Sequence, residues 1–213
     1  MDGNHSADLH VSRRRLAPAQ RRALIAEAAR QAILRDGLRR TGLREIAREA
    51  QTSVGTVTYH FAGIHEIFAE AAVLEMDWFY TPLVAAADAE NDATRALLLL
   101  VDPLFDGSEE SLRHWRFWSD YWSESARFPD PPAGDYGRLH LWRSGCERTI
   151  RRGIGDGTFR ADTDPRSVAV KTSAYVDGIS TQLSLGAPGL DHDLAGEWVR
   201  QFLRAELGAA FEA

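Results

Sequence analysis

The stretch Ser53-Val-Gly-Thr-Val-Thr-Tyr-His60 gathers hydroxyls at Ser53, Thr56, Thr58 and Tyr59, an imidazole at His60 and a glycine at Gly55 within about two helical turns. Such groups donate to phosphate oxygens and donate to or accept from base edges, and the glycine lets the backbone approach a surface closely. If Val54, Val57 and Phe61, spaced three and four apart, form the inward face, then Gly55, Thr56 and Tyr59 point away from the core and Thr58 and His60 flank them. A second concentration is His114-Trp-Arg-Phe-Trp-Ser-Asp-Tyr-Trp122. On a helix, Trp115, Trp118 and Trp122 share one face and Phe117 and Tyr121 the other, so both sides pack against something. Aromatic faces beside Asp120, Glu124 or Asp177 could cage an organic cation, with Trp78, Trp118, Trp122, Trp142, Tyr175 and Asp177 as candidate wall residues. Plain core is the commoner use of an aromatic stripe, and the residues alone leave both uses open.

Bond-breaking chemistry finds little to work with. There is no HExxH and no GxSxG, the seven histidines are scattered, Cys146 has no evident partner, and the sole lysine, Lys171, falls inside an expected helix. The expectation is a chain that is not an enzyme and needs neither cofactor nor metal. Gly153-Ile-Gly-Asp-Gly157 follows a helix with no strand before it, so it reads as a helix end and turn and not as a phosphate-cradling loop.

Nine helices and no strand are expected to position these groups. Pro18 suits a first helical turn and Gly37 the end of a helix reaching Asp36, whose apolar stripe is Leu24, Ile25, Ala28 and Ala32. Thr41 reads as the N-cap of a short helix to about Ala50 with Leu43, Ile46 and Ala47 inward, and Ser53 as the N-cap of the next. Further helices are expected near 65–89, 94–105, 110–127, 136–152, 164–185 and 191–207. Their breaks fall at Pro103 and Gly107, at Pro129, Pro131 and Pro132, at the 153–157 glycines, and at Gly186, Pro188 and Gly189. Residues 1–12 read as a disordered tail, 13–63 as one unit and 64–213 as another.

The 213 residues, 44% of them hydrophobic, can bury a sizeable core. Charge is unevenly spread: residues 1–60 hold 11 arginines against 6 acidic side chains, a net of +5, while residues 61–213 carry a net of −11. A basic module on an acidic body fits one part that meets phosphate and another that does something else, although a solvated charged helix would look the same. One cysteine excludes a disulfide framework and fits a reducing cytoplasm, and the longest apolar run, Ala96 to Val101, is far too short for a membrane span.

The run Gly42 to Phe61, GLREIAREAQTSVGTVTYHF, resembles the DNA-binding helix-turn-helix of TetR-family transcriptional regulators, notably at Arg44, Ile46, Ala47, Ala50, Ser53, Gly55, Thr56, His60 and Phe61. The segment Arg148 to Val170 and the pair FWSDYWSESA and AYVDGIS are similar to the family's C-terminal part and to its choline-responsive BetI-type subgroup. The resemblance implies an all-helical homodimer that binds a palindromic double-stranded operator as a repressor and releases it to a small-molecule effector. It implies DNA contacts from Arg44, Ser53, Gly55, Thr56, Thr58, Tyr59 and His60. It also implies a four-helix dimer bundle, to which we assign the stripes Val168, Tyr175, Ile179, Leu183 and Leu194, Trp198, Phe202, Leu203. A monomer burying both stripes internally is the alternative. The chain departs from the family at Gln51-Thr52, where Gly-Val is common, at Thr58 in place of Tyr, and at Ile64 in place of a phosphate-contacting Lys.

Overall fold

The computed structural model describes residues 16–125 and 140–208. The expected tail of residues 1–12, the Arg13–Arg15 cluster and the break at Pro129, Pro131 and Pro132 lie outside them. The described residues form nine α-helices and no strand: α1 (Pro18–Asp36), α2 (Leu43–Glu49), α3 (Val54–His60), α4 (Ile64–Ala89), α5 (Ala93–Val101), α6 (Glu109–Ser125), α7 (Leu141–Gly155), α8 (Pro165–Ser184) and α9 (His192–Leu207). Two 3-10 turns, Leu38–Arg40 and Asp102–Leu104, finish α1 and α5. The expected helix at 94–105 therefore tightens after Val101, where Pro103 has no N–H to continue it.

Each boundary has a local cause. Pro18 occupies the first turn of α1, and Gly37 ends the helix at φ 82°, a region that a side chain rarely adopts. Asp92, Asp164 and Asp191 cap α5, α8 and α9 by accepting from backbone N–H groups. Ser53 caps α3 as expected, accepting from Thr56 N at 3.1 Å. Thr41 does not cap α2. Its hydroxyl donates to Gly37 O, and Glu45 instead reaches back from the first turn to accept from Gly42 N. Gly153 lies inside α7 and not at its end: a Cβ there would overlap the Phe159 ring, so the absent side chain permits close packing, and the turn falls at Gly157 with φ 82°.

One connected core runs from Ile25 in α1 to Leu207 in α9. Helix α4 is its spine, packing on α1 toward its start and on α5 and α7 toward its end. Ile46, Val57 and Phe61 seal α2 and α3 onto α1. Two residues of the expected apolar faces point outward instead: Leu24 is 49% exposed and Val54 37% exposed. Val57 and Phe61 alone fill the space beneath a two-turn helix, so the third apolar position has nothing to cover it.

Candidate functional site

Two places collect the groups singled out above. The first is the outer side of α3. Tyr59 is 82% exposed and its ring meets His60 edge-on at 5.1 Å. Arg44 projects from α2 into solvent, and among the described residues no carboxylate pairs with it. Ser53 and Thr56 share a hydroxyl contact at 2.9 Å, while the exposed Thr58 donates its hydroxyl to Val54 O and Gly55 O. Arg39, Arg40 and Arg48 are also exposed on this unit. Gln51, in the turn between α2 and α3, has φ 49°, and no other described non-glycine residue has a positive φ.

This reading face is locked to the body. Arg22 of α1 donates to His60 O at 2.8 Å, to Glu66 at 2.7 Å and to Glu70 at 3.2 Å, with its guanidinium 4.1 Å over the Phe61 ring. One side chain thus joins α1, the end of α3 and the start of α4. The N–H of Ala62 and the Arg22 guanidinium both stabilise the ionised Glu66, whose pKa is lowered.

The second place is a cavity of about 70 Å³ between α4, α6, α7 and α8. Trp118 and Trp122 stack at 5.3 Å on one side, with Trp142 across from α7 and Tyr80 from α4. The indoles of Trp115 and Trp142 are oriented by hydrogen bonds to Leu104 O and Leu100 O, both at 2.7 Å. Trp118 Nε1 is buried with no acceptor among the described residues. Asp177 opens into the cavity from α8. Its residue surface still reaches solvent in the single chain, yet the surrounding protein desolvates the carboxyl and pushes its pKa up to about 6. His140 and Arg143 stand among the lining residues.

Beneath the cavity runs a chain of buried polar groups that the sequence reading did not find. Arg30 Nη1 donates to Glu75 Oε2 at 2.8 Å, Glu75 Oε1 lies 2.9 Å from His114 Nδ1, and His114 Nε2 lies 3.0 Å from the Tyr80 hydroxyl. Burial holds the His114 pKa below its usual value despite the Glu75 carboxylate, and burial first, then the charges of Asp177 and Glu75, push that of Tyr80 well up. The one available signal was a lone acid, Glu75, in the apolar run Ala71-Ala-Val-Leu-Glu-Met76.

Residues 25–71 match the family described as bacterial regulatory proteins, tetR family, and residues 93–208, more than half of the chain, match the family described as BetI-type transcriptional repressor, C-terminal. The chain belongs to the TetR family of transcriptional regulators. It is a DNA-binding regulator with a helix-turn-helix in α2 and α3 and a BetI-type C-terminal domain. A transcriptional regulator from Saccharomonospora viridis, solved in complex with choline, is similar to this TetR-family chain at 28% identity and a TM-score of 0.73, over 89% of this chain and 98% of the other. A TetR-family regulator from Rhodococcus sp. shares the fold at 19% identity and a TM-score of 0.70, over 88% and 98%. The multidrug-binding protein EbrR complexed with imidazole does so at 22% and 0.61, over 85% and 94%. No curated protein sequence matches significantly.

Within this TetR-family architecture the expected residues are only partly brought together. Trp118, Trp122, Trp142 and Asp177 meet at the cavity, joined by Tyr80, Trp115 and Val176, which were not foreseen. Trp78 is not there: it is 50% exposed on another side of α4, with Arg30 5.2 Å from its ring. Tyr175 faces away from the cavity and packs on Phe202 at 5.1 Å. Asp120 accepts from Leu38 N at 3.0 Å and so ties α6 to the turn after α1. Of the expected dimer stripes, Val168 and Ile179 are each 3% exposed within a single chain, and Leu203 is buried too, so none can meet a partner directly. Val170, Tyr175, Leu185 and Trp198 are the exposed large residues on α8, just after it and on α9, with Leu183, Leu194 and Phe202 half-buried beside them. Among the described residues no group of three or more His, Cys, Asp or Glu side chains could hold a metal, and no helix is long and apolar enough to cross a membrane. Cys146 is buried and its thiol pKa is raised by burial, which makes it a poor nucleophile.

Proposed function

We propose that this regulator binds a palindromic operator as a homodimer and is released from it by an organic cation held in the aromatic cavity. Residues 13–63 form the reading unit and 64–213 the sensing and pairing unit. Arg44, Ser53, Gly55, Thr56, Thr58, Tyr59 and His60 supply contacts to bases and phosphates, Thr58 by its methyl or as an acceptor, since its proton is spent inside α3. The pairing face is the exposed apolar side of α8 and α9, with Tyr175 and Trp198 at its centre, and Leu183, Leu194 and Phe202 beside them. In the DNA-bound dimer the two α3 helices stand about one turn of duplex apart, roughly 34 to 36 Å.

One observation carries the choice of ligand: Asp177, with no basic side chain paired to it among the described residues, faces a cavity walled by Trp118, Trp122 and Trp142. A desolvated carboxylate beside aromatic faces attracts a cation that water would otherwise keep. The choline complex of the Saccharomonospora viridis relative supports the same chemistry. Genomic fragments selected by the protein and run in gel shift at two salt concentrations test the DNA reading, because specific phosphate-contacting complexes weaken steeply with salt. The cation that the cavity binds is expected to bind several-fold more weakly once the selected fragment is present, by the reciprocity of linked sites. Equal affinities would remove the release mechanism.

A pH dependence follows from Asp177. With its pKa near 6 the carboxyl is neutral below that pH and charged above it, so affinity for a permanent cation rises as pH goes from 5 to 7. Protonation of His140 at low pH repels the same cation and acts in the same direction. In Asp177→Asn the calorimetric affinity profile should flatten to the His140 part alone. An unchanged profile would take Asp177 out of the site.

A further inference from the structure

The buried chain below the cavity fixes more than packing, because each group in it restricts the next. Arg30 has donors only, and it spends Nε and Nη2 on Glu27 at 2.9 Å each and Nη1 on Glu75. Glu75, 1% exposed, therefore accepts at Oε2 and, as a carboxylate, accepts at Oε1 too. His114 must then carry its proton on Nδ1 to donate there. Phe79 lies flat on the imidazole, centroids 3.7 Å apart, and holds the ring plane. Burial keeps the ring neutral, so Nε2 is bare and can only accept. The phenol of Tyr80 is the donor it accepts from.

We propose that Tyr80 faces the cavity as an acceptor only, its proton committed to His114, so that the effector must present an O–H or N–H donor, and that Arg30 of the reading unit imposes this polarity through Glu75. The inference rests on the organic-cation reading for the identity of the ligand, but not for the direction of the hydrogen bonds. Asp177, whose charge reaches the Tyr80 phenol, is a second acceptor in the same cavity. Trp118 Nε1–H is a buried donor left without an acceptor among the described residues. A hydroxyl suits this lining, since it can donate to an oxygen and accept from an indole. The class so defined is a small organic cation bearing a hydroxyl or N–H, and not one that is alkylated throughout.

Two readouts on the full-length protein test this. The first is the His114 tautomer from long-range 15N–1H correlation spectra of protein labelled at histidine, the signals assigned by their loss in His114→Gln. The wild type is expected to show Nδ1–H with bare Nε2. In Glu75→Gln the amide oxygen must face Arg30, so its NH2 meets Nδ1, the ring proton moves to Nε2, and the Tyr80 O–H turns to the cavity. The second readout is calorimetric binding of choline against its O-methyl ether, which keeps the charge but loses the donor. Wild type should prefer choline by about tenfold, the scale of one buried hydrogen bond. Tyr80→Phe should cut the preference to the part that Asp177 can supply, and Glu75→Gln should cut it as far or reverse it, whereas a Tyr80→Phe preference equal to the wild type's would overturn the inference. Nε2–H or a doubly protonated ring in the wild type, or equal binding of the two cations, overturns the inference. The expected tautomers with no binding of either cation would leave the imposed polarity standing and sink the organic-cation reading instead.

Discussion

Glu75→Ala is expected to lower unfolding stability by about 3–5 kcal/mol, the usual cost of removing one partner from a buried pair. Arg30 is 5% exposed and His114 fully buried, so neither can recover its lost hydrogen bond from water. Arg30 keeps Glu27, but that carboxylate is 44% exposed and shared with Gln31, so it compensates weakly. His114 keeps Tyr80 while its Nδ1–H points into the space left by the side chain. Urea unfolding at pH 7 measures the difference, read from the midpoint at unchanged slope. The combination Arg30→Met with Glu75→Leu should regain the part owed to the unpaired guanidinium, since apolar groups of similar volume replace a buried ion pair at little cost, while the part owed to His114 Nδ1 remains. A loss under about 1 kcal/mol in Glu75→Ala would mean that water reaches the pair and that the chain of hydrogen bonds is not held as described.

Tyr59→Ala combined with Arg44→Ala should abolish measurable operator binding while leaving the unfolding midpoint in place. Both side chains are exposed, so the fold does not lean on them. Each contact to a base edge or phosphate contributes on the order of 1–3 kcal/mol, and twofold symmetry doubles every loss, so two residues take affinity down by at least ~1000-fold. Arg44→Ala alone should also reduce the salt slope by about one counterion per protomer, whereas a base-reading residue leaves the slope intact. Thr58→Val serves as the contrast, because that hydroxyl is already satisfied inside α3 and its loss should change affinity little. Gel shift on one selected fragment across a salt series separates these outcomes. Undiminished binding by the double variant would move the reading face away from α3.

The helices were legible because their ends carry strong local chemistry: Pro18, Gly37 and Ser53 each act on the backbone within a few residues. Which way an apolar side chain turns was less legible where a helix has two apolar sides. On α8, Val168 and Ile179 face the chain's own core and Tyr175 faces outward, although the periodicity places all three on one stripe. Trp78 and Tyr175 fall outside the cavity for the same reason, since an aromatic ring carries no mark of the neighbour it will meet. The buried chain was beyond reach, because it joins residues 45 and 39 positions apart and its members are remote until the helices pack. Gln51 shows the opposite case: a departure from the family's usual glycine falls on the residue whose backbone is left-handed, at a cost of about 1 kcal/mol.

The Arg22 clasp bears on how small a disturbance can matter. Because one guanidinium holds α1, α3 and α4 together, a displacement of the start of α4 is passed to α3 directly. The part of α4 before its internal Pro82, 18 residues from Ile64, is roughly 27 Å long, so tilting it by about 5° about that proline carries α3 sideways by some ~2 Å. On the proposed release mechanism, a slight shift around three indole rings is thereby magnified by leverage into a misfit between paired heads and the pitch of the double helix.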